Sequence, residues 1–258
     1  MNSILIKCYL TNSLFFLKHL AVDYIDYSIL KKNEESNIKT IWQVQEKQAI
    51  KLCKHALEKV PFWREAHSQY FPAKTYSEIT YADFPVVYFS DLIKYHTAFL
   101  SDDFDERLSE LTNRNMIFHD KRLTIRKYAL LCRALSWQGV HLTPDLLSHN
   151  VSWQNINSRI KTSQYKYFFR NELGYIAHEC AQKNGMHINS ESFLIEIFDD
   201  NLNLLPPLTT GTIVITAFDN WQMPLIRYTW GAKGYIDNSE CDCGRKLPRL
   251  FLENNEFI

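Results

Sequence analysis

The chain has 258 residues, of which 46% are hydrophobic and 14% aromatic, so it can bury a sizeable core as one large domain or two small ones. Its 29 basic side chains balance 29 acidic ones, which argues against broad electrostatic binding of nucleic acid or an anionic membrane. Six irregularly spaced cysteines do not form a disulfide framework, which favours a reducing compartment and a cytoplasmic protein.

The first sixty residues are predicted to be mainly helical. The apolar stretch 4–20 is interrupted by two lysines and is not followed by a cleavage site, which predicts an amphipathic helix packed on the body and no membrane span. Apolar residues then recur at helical spacing from Ile41 to Val60, and Pro61 ends the pattern. A second helical block is predicted over 91–147.

The hydrophobic period changes to that of β-strands after residue 191. Apolar residues in 193–198 alternate before a polar turn at 199–201, and a second strand is predicted over 212–216. A third strand is predicted over 225–229, and a fourth at 235–236. The pattern indicates a hairpin or meander.

Four side chains in this region look like the ligands of one structural zinc ion: Cys180, His187, Cys241 and Cys243. Three sulfurs and one imidazole nitrogen close a tetrahedron without leaving a position for water or substrate. Because the two pairs are far apart in sequence, the ion would join distant pieces of one domain. Gly244 suits a tight turn around the metal. Ordinary reduced thiols and a surface histidine are the alternative interpretation.

Five motifs in the same region follow one another in an order that resembles a known family. They are NELGYIAHEC at 171–180, GMHI at 185–188, GTIVIT at 211–216, PLIRY at 224–228 and CDCGR at 241–245. Together they resemble the phenylacetate-CoA ligase-like branch of the adenylate-forming enzymes, including members found in capsular-polysaccharide clusters. The resemblance covers 168–249 and has a weaker upstream counterpart in VPFWR at 60–64.

The resemblance implies a fold, an activity and cofactors. In this family an acid and ATP give an acyl adenylate, and the acyl group usually passes to coenzyme A, with magnesium held against the phosphates. The expected fold is α/β (α+β), a shortened N-terminal domain of an adenylate-forming enzyme without the mobile C-terminal domain. Residues 1–165 would form a mainly helical region, and 166–258 a β-rich subdomain stapled by zinc.

Residue-by-residue comparison with the family retains few site positions. Glu172 matches the magnesium ligand, and Arg227 and Tyr228 match the strand ahead of the ribose-binding aspartate, where they are candidate substrate-binding residues. Ala232 stands at that aspartate, so the ribose clamp is missing. Phenylalanines at 168–169 replace an aromatic–glycine pair, and the second ring would crowd a nucleotide.

Larger departures predict that adenylation by this chain alone is weak or absent. No glycine lies in 91–127, where the phosphate-binding loop is expected, and the lysine of the mobile domain has no counterpart before Ile258. We therefore expect a truncated, degenerate relative of these ligases, a pseudoenzyme encoded beside polysaccharide or secondary-metabolite genes. A non-catalytic scaffold partner of a complete biosynthetic enzyme and a ligase completed by a separate fragment are the alternatives. The sequence does not identify the acyl substrate or the oligomeric state. It also does not distinguish a naturally short protein from the product of a broken reading frame.

Overall fold

The computed structural model describes residues 33–70, 74, 78–104, 109–111, 118–120, 165–170 and 172–253. The predicted helix over 4–20 lies outside these residues, as does most of the helical block predicted over 91–147. Within the described parts of the chain, each helix is too short or too polar to cross a bilayer.

Two consecutive helices open the described chain. Helix α1 (Ile38–Lys59) begins at Asn37, whose side chain accepts a hydrogen bond from the backbone of Thr40, an N-cap that satisfies a terminal N–H group. Helix α2 (Pro61–Tyr70) starts two residues after α1 ends, with proline at its first position, where no N–H is required. The helix predicted up to Pro61 is therefore confirmed.

A chain of short elements follows the helices. A 3-10 helix (Tyr81–Asp83) leads into strand β1 (Val87–Tyr88) and helix α3 (Phe89–Lys94). The antiparallel strands β2 (Ser109–Leu111) and β3 (Phe118–Asp120) then form a separate two-stranded sheet. The helical prediction over 91–147 is wrong at these two segments, because backbone pairing across a hairpin outweighs a weak local helical period.

The C-terminal part is a mixed, nine-stranded sheet. Its remaining strands are β4 (Tyr167–Arg170), β5 (Gly174–Glu179), β6 (Met186–Ile188), β7 (Phe193–Phe198), β8 (Gly211–Ala217), β9 (Tyr228–Thr229), β10 (Lys233–Asp237) and β11 (Arg249–Leu252). The order is β1-β9-β8-β10-β11-β6-β5-β4, with β7 also paired to β8. Only β1 and β9 pair in parallel among the described strands.

The four strands predicted from the sequence are confirmed, but the third is shorter than expected. It contains two residues, Tyr228–Thr229, because the three residues before it make loop contacts instead of a ladder. Arg227 has a backbone φ of 49°, in the left-handed region, which breaks the extended conformation immediately before the strand.

One hydrophobic cluster joins the helices to the sheet. It contains the buried face of α1 around Leu52 and Ala56, the fully buried Trp63 of α2, and inward-facing residues of most strands, among them Ile176 and Ile215. Such contiguous packing is the usual core of one domain. The α/β class, with a helical first part and a β-rich second part, is confirmed, while the boundary between 165 and 166 stays a prediction.

Candidate functional site

The four predicted zinc ligands come together at one end of the β5–β6 hairpin. Cys180 follows β5, His187 lies within β6, and Cys241 and Cys243 lie on the loop between β10 and β11. One ligand atom from each residue lies within 4.8 Å of the other three. The two sequence-distant pairs are therefore neighbours in the fold, as the zinc interpretation requires.

The distances within this cluster match a tetrahedral ion. The Sγ atoms of Cys180 and Cys241 are 3.8 Å apart, and Sγ of Cys243 lies 3.3 Å from Nε2 of His187. With Zn–S bonds of about 2.3 Å and Zn–N bonds of about 2.0 Å, the edges of a tetrahedron are about 3.8 Å for S–S and about 3.5 Å for S–N. Both distances are therefore close to those expected for one ion shared by the four donors, which all lie within 4.8 Å of one another.

His187 is oriented for metal binding by a backbone group. Its Nδ1 lies 3.2 Å from the carbonyl oxygen of Leu247, and a carbonyl can only accept a hydrogen bond. Nδ1 therefore carries the ring proton, and Nε2 presents its lone pair toward Cys243. A histidine ligand whose second nitrogen donates to a carbonyl is the common arrangement in zinc sites.

A tight turn brings the two downstream cysteines to the cluster. The backbone N–H of Gly244 donates to the carbonyl of Cys241 at 2.8 Å, and Gly244 has φ of 83°, which a side chain would strain. The turn predicted at Gly244 is thus present. The loop is also tied to the N-terminal side of α1, because Arg245 and Glu34 form an ion pair at 3.0 Å.

The thiols of the cluster differ in acidity when no metal is present. Burial raises the pKa of Cys180 to about 12, and the neighbouring thiols act in the same direction. Burial also raises the pKa of Cys243, but hydrogen bonds from Arg245 and from the other thiols outweigh it and leave that pKa below its ordinary value. Cys243 therefore ionises before Cys180, and a bound cation would favour the thiolate at each position.

A second cluster surrounds Glu172, the predicted magnesium ligand. The residue is 2% exposed and lies in the turn between β4 and β5. Its Oε1 atom accepts a hydrogen bond of 2.6 Å from the hydroxyl of Tyr228 and one of 2.9 Å from Nε of Arg170. Burial and the charge of Glu172 raise the pKa of Tyr228, so its hydroxyl stays protonated and donates. The carboxylate is thus already engaged by protein groups.

Arg170 is the member of this cluster that sequence reasoning missed. Its guanidinium carbon lies 4.6 Å from the ring centroid of Trp230 and 5.6 Å from that of Phe89. These residues come from three separate segments, so their meeting could not be read from local pattern. The available signal was an arginine two positions before Glu172 in the motif FFRNE.

Arg227, predicted as a substrate-binding residue, connects three segments of the fold. Its Nη2 and Nε atoms contact the two carboxylate oxygens of Glu196 at 2.9 and 3.2 Å. Its Nη1 atom donates to the carbonyl oxygens of Ala82 and Phe84 at 2.8 and 3.0 Å. These contacts fasten the 3-10 helix to β7, and substrate binding by Arg227 and Tyr228 stays a prediction.

The positions that the resemblance assigns to nucleotide binding carry apolar side chains. Ala232, the predicted counterpart of the ribose-binding aspartate, is 1% exposed and packs in the main core. The ring of Phe169, the predicted counterpart of the family glycine, lies 4.9 Å from the ring of Tyr175. Phe168 is buried and its ring lies 5.4 Å from that of Trp230.

Comparison with curated proteins identifies one informative relative. The phenylacetate-coenzyme A ligase of Thermus thermophilus is 34% identical to the chain over 77 residues, which are 29% of the chain and 17% of that enzyme. The aligned part of the chain thus spans well under a fifth of its curated relative. No protein-family model matches the chain.

Solved structures of 2-hydroxyisobutyryl-CoA ligase are similar in fold. A postadenylation-state structure superposes with a TM-score of 0.66 at 15% identity, covering 85% of this chain and 68% of that one. A thioesterification-state structure gives 0.64 at 17% identity, covering 85% and 69%. The chain therefore has the fold of these CoA ligases, and over 77 residues its sequence is similar to that of a phenylacetate-coenzyme A ligase.

Proposed function

We propose that the chain descends from acid–CoA ligases, which join an acid to coenzyme A through an acyl adenylate, and that magnesium-dependent adenylation is weak or absent in it. The observation that supports this most directly is the state of Glu172. Its carboxylate is buried and paired with Arg170, where a magnesium ligand would have to turn an oxygen toward the metal.

Magnesium would have to displace the guanidinium from Glu172. Breaking a buried ion pair by removing one partner costs about 3–5 kcal/mol, and about 3 kcal/mol corresponds to about two orders of magnitude in affinity. A guanidinium and a divalent cation would also repel each other at this distance. The residues present therefore do not fit magnesium at Glu172, and we derive no catalytic step through it.

The residues at the positions that would hold the nucleoside also argue against nucleotide binding. A buried methyl group at Ala232 offers no acceptor for ribose hydroxyls, and the Phe169 ring fills space that a glycine would leave to the base. Each change removes binding that the adenylation chemistry needs. Loss of several such contacts lowers both ground-state and transition-state binding.

Isothermal titration with ATP and magnesium tests the proposal. We expect no binding in the micromolar range, and Glu172→Gln should leave the titration unchanged because the residue does not serve the nucleotide. Micromolar binding of Mg·ATP that is lost in Glu172→Gln would refute the proposal, since it would make Glu172 a working metal ligand.

We also propose that Cys180, His187, Cys241 and Cys243 bind one structural zinc ion. Zinc would supply four bonds that fix the β10–β11 loop to the β5–β6 hairpin, with no open position for chemistry.

Reduced cysteines of this kind are typical of proteins in a reducing compartment, and we propose a cytoplasmic location. We also propose that the chain binds a partner enzyme of polysaccharide biosynthesis. Co-purification of the chain with the products of neighbouring genes would test this.

A further inference from the structure

The two side chains of the Arg170–Glu172 ion pair are buried to different extents. Glu172 is 2% exposed at its side chain, whereas the side chain of Arg170 is 27% exposed. Nε of Arg170 makes the contact with the carboxylate at 2.9 Å. The buried acid therefore holds the guanidinium of a side chain that stays partly exposed to solvent.

Two aromatic rings lie close to the same guanidinium. Trp230 lies 4.6 Å and Phe89 5.6 Å from the guanidinium carbon, both within the range of a cation–π contact. Tyr228, whose hydroxyl donates to Glu172, also interacts with Arg170. A side chain held in this way loses little further conformational entropy when it binds a ligand.

The donors of Arg170 suit an oxyanion. Arginine carries five N–H groups in a planar fork, of which the one on Nε contacts Glu172 and another is hydrogen-bonded to Tyr228, so donors remain for a ligand. The two Nη amino groups match the spacing of oxygens in a carboxylate or phosphate, to which arginine binds in bidentate fashion. An arginine side chain supplies a positive charge at neutral pH without any bound metal.

We propose that Arg170 binds the phosphate or carboxylate group of a small ligand directly, without a divalent cation. The inference rests on the proposed function, in which Glu172 holds Arg170 and not magnesium. We expect a compact oxyanion, because the rings of Trp230 and Phe89 lie within 5.6 Å of the guanidinium carbon and limit the space around it.

The test is calorimetric titration of the full chain in magnesium-free buffer with inorganic phosphate and, separately, with phenylacetate. At least one of these anions should bind, and added magnesium should change its affinity by less than about twofold, because the charge comes from Arg170. Arg170→Met should weaken binding by at least about tenfold. Chelators are left out because they would remove a bound zinc ion.

Two further variants keep the result interpretable. Arg64→Met removes another arginine that is paired with a carboxylate, Asp102 on the surface, and should leave anion binding unchanged. If Arg170→Met does not fold because the buried Glu172 loses its positively charged partner, the double variant Arg170→Met/Glu172→Gln removes both charges. Loss of anion binding in the folded double variant supports the inference, and retained binding overturns it.

The outcomes separate this inference from the proposed function. Failure of both anions to bind, or a strict need for magnesium, overturns the role of Arg170. If neither anion binds and Mg·ATP does not bind either, the proposed loss of adenylation still stands. Micromolar Mg·ATP binding that depends on Glu172 overturns both.

Discussion

Replacing Cys243 with serine should release the metal and lower the stability of the whole chain. The ion would close a loop between Cys180 and Cys241, which are 61 residues apart. Closing a loop of that length restricts the unfolded chain by about 4 kcal/mol in the chain-entropy treatment of crosslinks. At about 2–4 °C per kcal/mol for a chain of this size, the melting temperature should fall by about 10 °C.

The measurement pairs elemental analysis with thermal melts. Wild-type protein should carry about one zinc per chain, whereas Cys243→Ser should carry much less. A chelator should lower the melting temperature of the wild type and should leave that of the variant unchanged. Cys53→Ala is the matched control, because Cys53 is a buried cysteine of α1 outside the cluster. It should lose a little stability through a small cavity and keep its zinc.

Two results would refute the reasoning. If Cys243→Ser retained a full equivalent of zinc, the metal would be bound elsewhere. If chelation removed zinc from the wild type without lowering its melting temperature, the ion would not crosslink the two segments.

Three other substitutions or modifications test separate parts of the structure. Arg227→Ala should destabilise the fold by about 3 kcal/mol in urea unfolding, since the largely buried Glu196 would keep only the Tyr81 hydroxyl as a donor and lose its positive partner. A smaller loss in Arg227→Met/Glu196→Gln would locate the cost in that charge. In zinc-free protein, iodoacetamide should modify Cys243 before Cys180, because the lower pKa of Cys243 gives it more thiolate at neutral pH. Mass spectrometry that found the reverse order would contradict this difference in acidity. Gly234→Ala should lower the melting temperature, since the added Cβ would overlap a backbone carbonyl of β11 that cannot move cheaply, and an unchanged melt would refute this packing.

The features that could be predicted from the sequence are those set by local hydrophobic pattern or by the chemistry of metal-binding side chains. Alternation of apolar residues in 193–198 specified β7, because one face of a strand must meet the core. Cys180, His187, Cys241 and Cys243 could be grouped without a structure, because few other functions need three thiols and an imidazole at that spacing.

The parts that sequence reasoning missed depend on contacts between distant segments. Arg170 meets Trp230 and Phe89 only after β4, β9 and α3 have been placed side by side. The pairing of β1 with β9 involves two residues on each strand, which is too short for a periodic signal. The resemblance predicted Glu172 as a magnesium ligand, but only the packing showed that its charge is already paired with Arg170.

The metal cluster and the Glu172 cluster lie at opposite ends of the same strand. Glu172 precedes β5 and Cys180 follows it, and six extended residues span about 20 Å. Each position of β5 is buried, so the hydrophobic core holds the strand independently of the ion. Removing zinc should therefore loosen the β10–β11 loop and its attachment to α1, while Arg170 keeps its anchor. Anion affinity measured in zinc-free protein below its melting temperature should then match that of the zinc-bound form, and a large loss would show that the core does not fix β5 by itself.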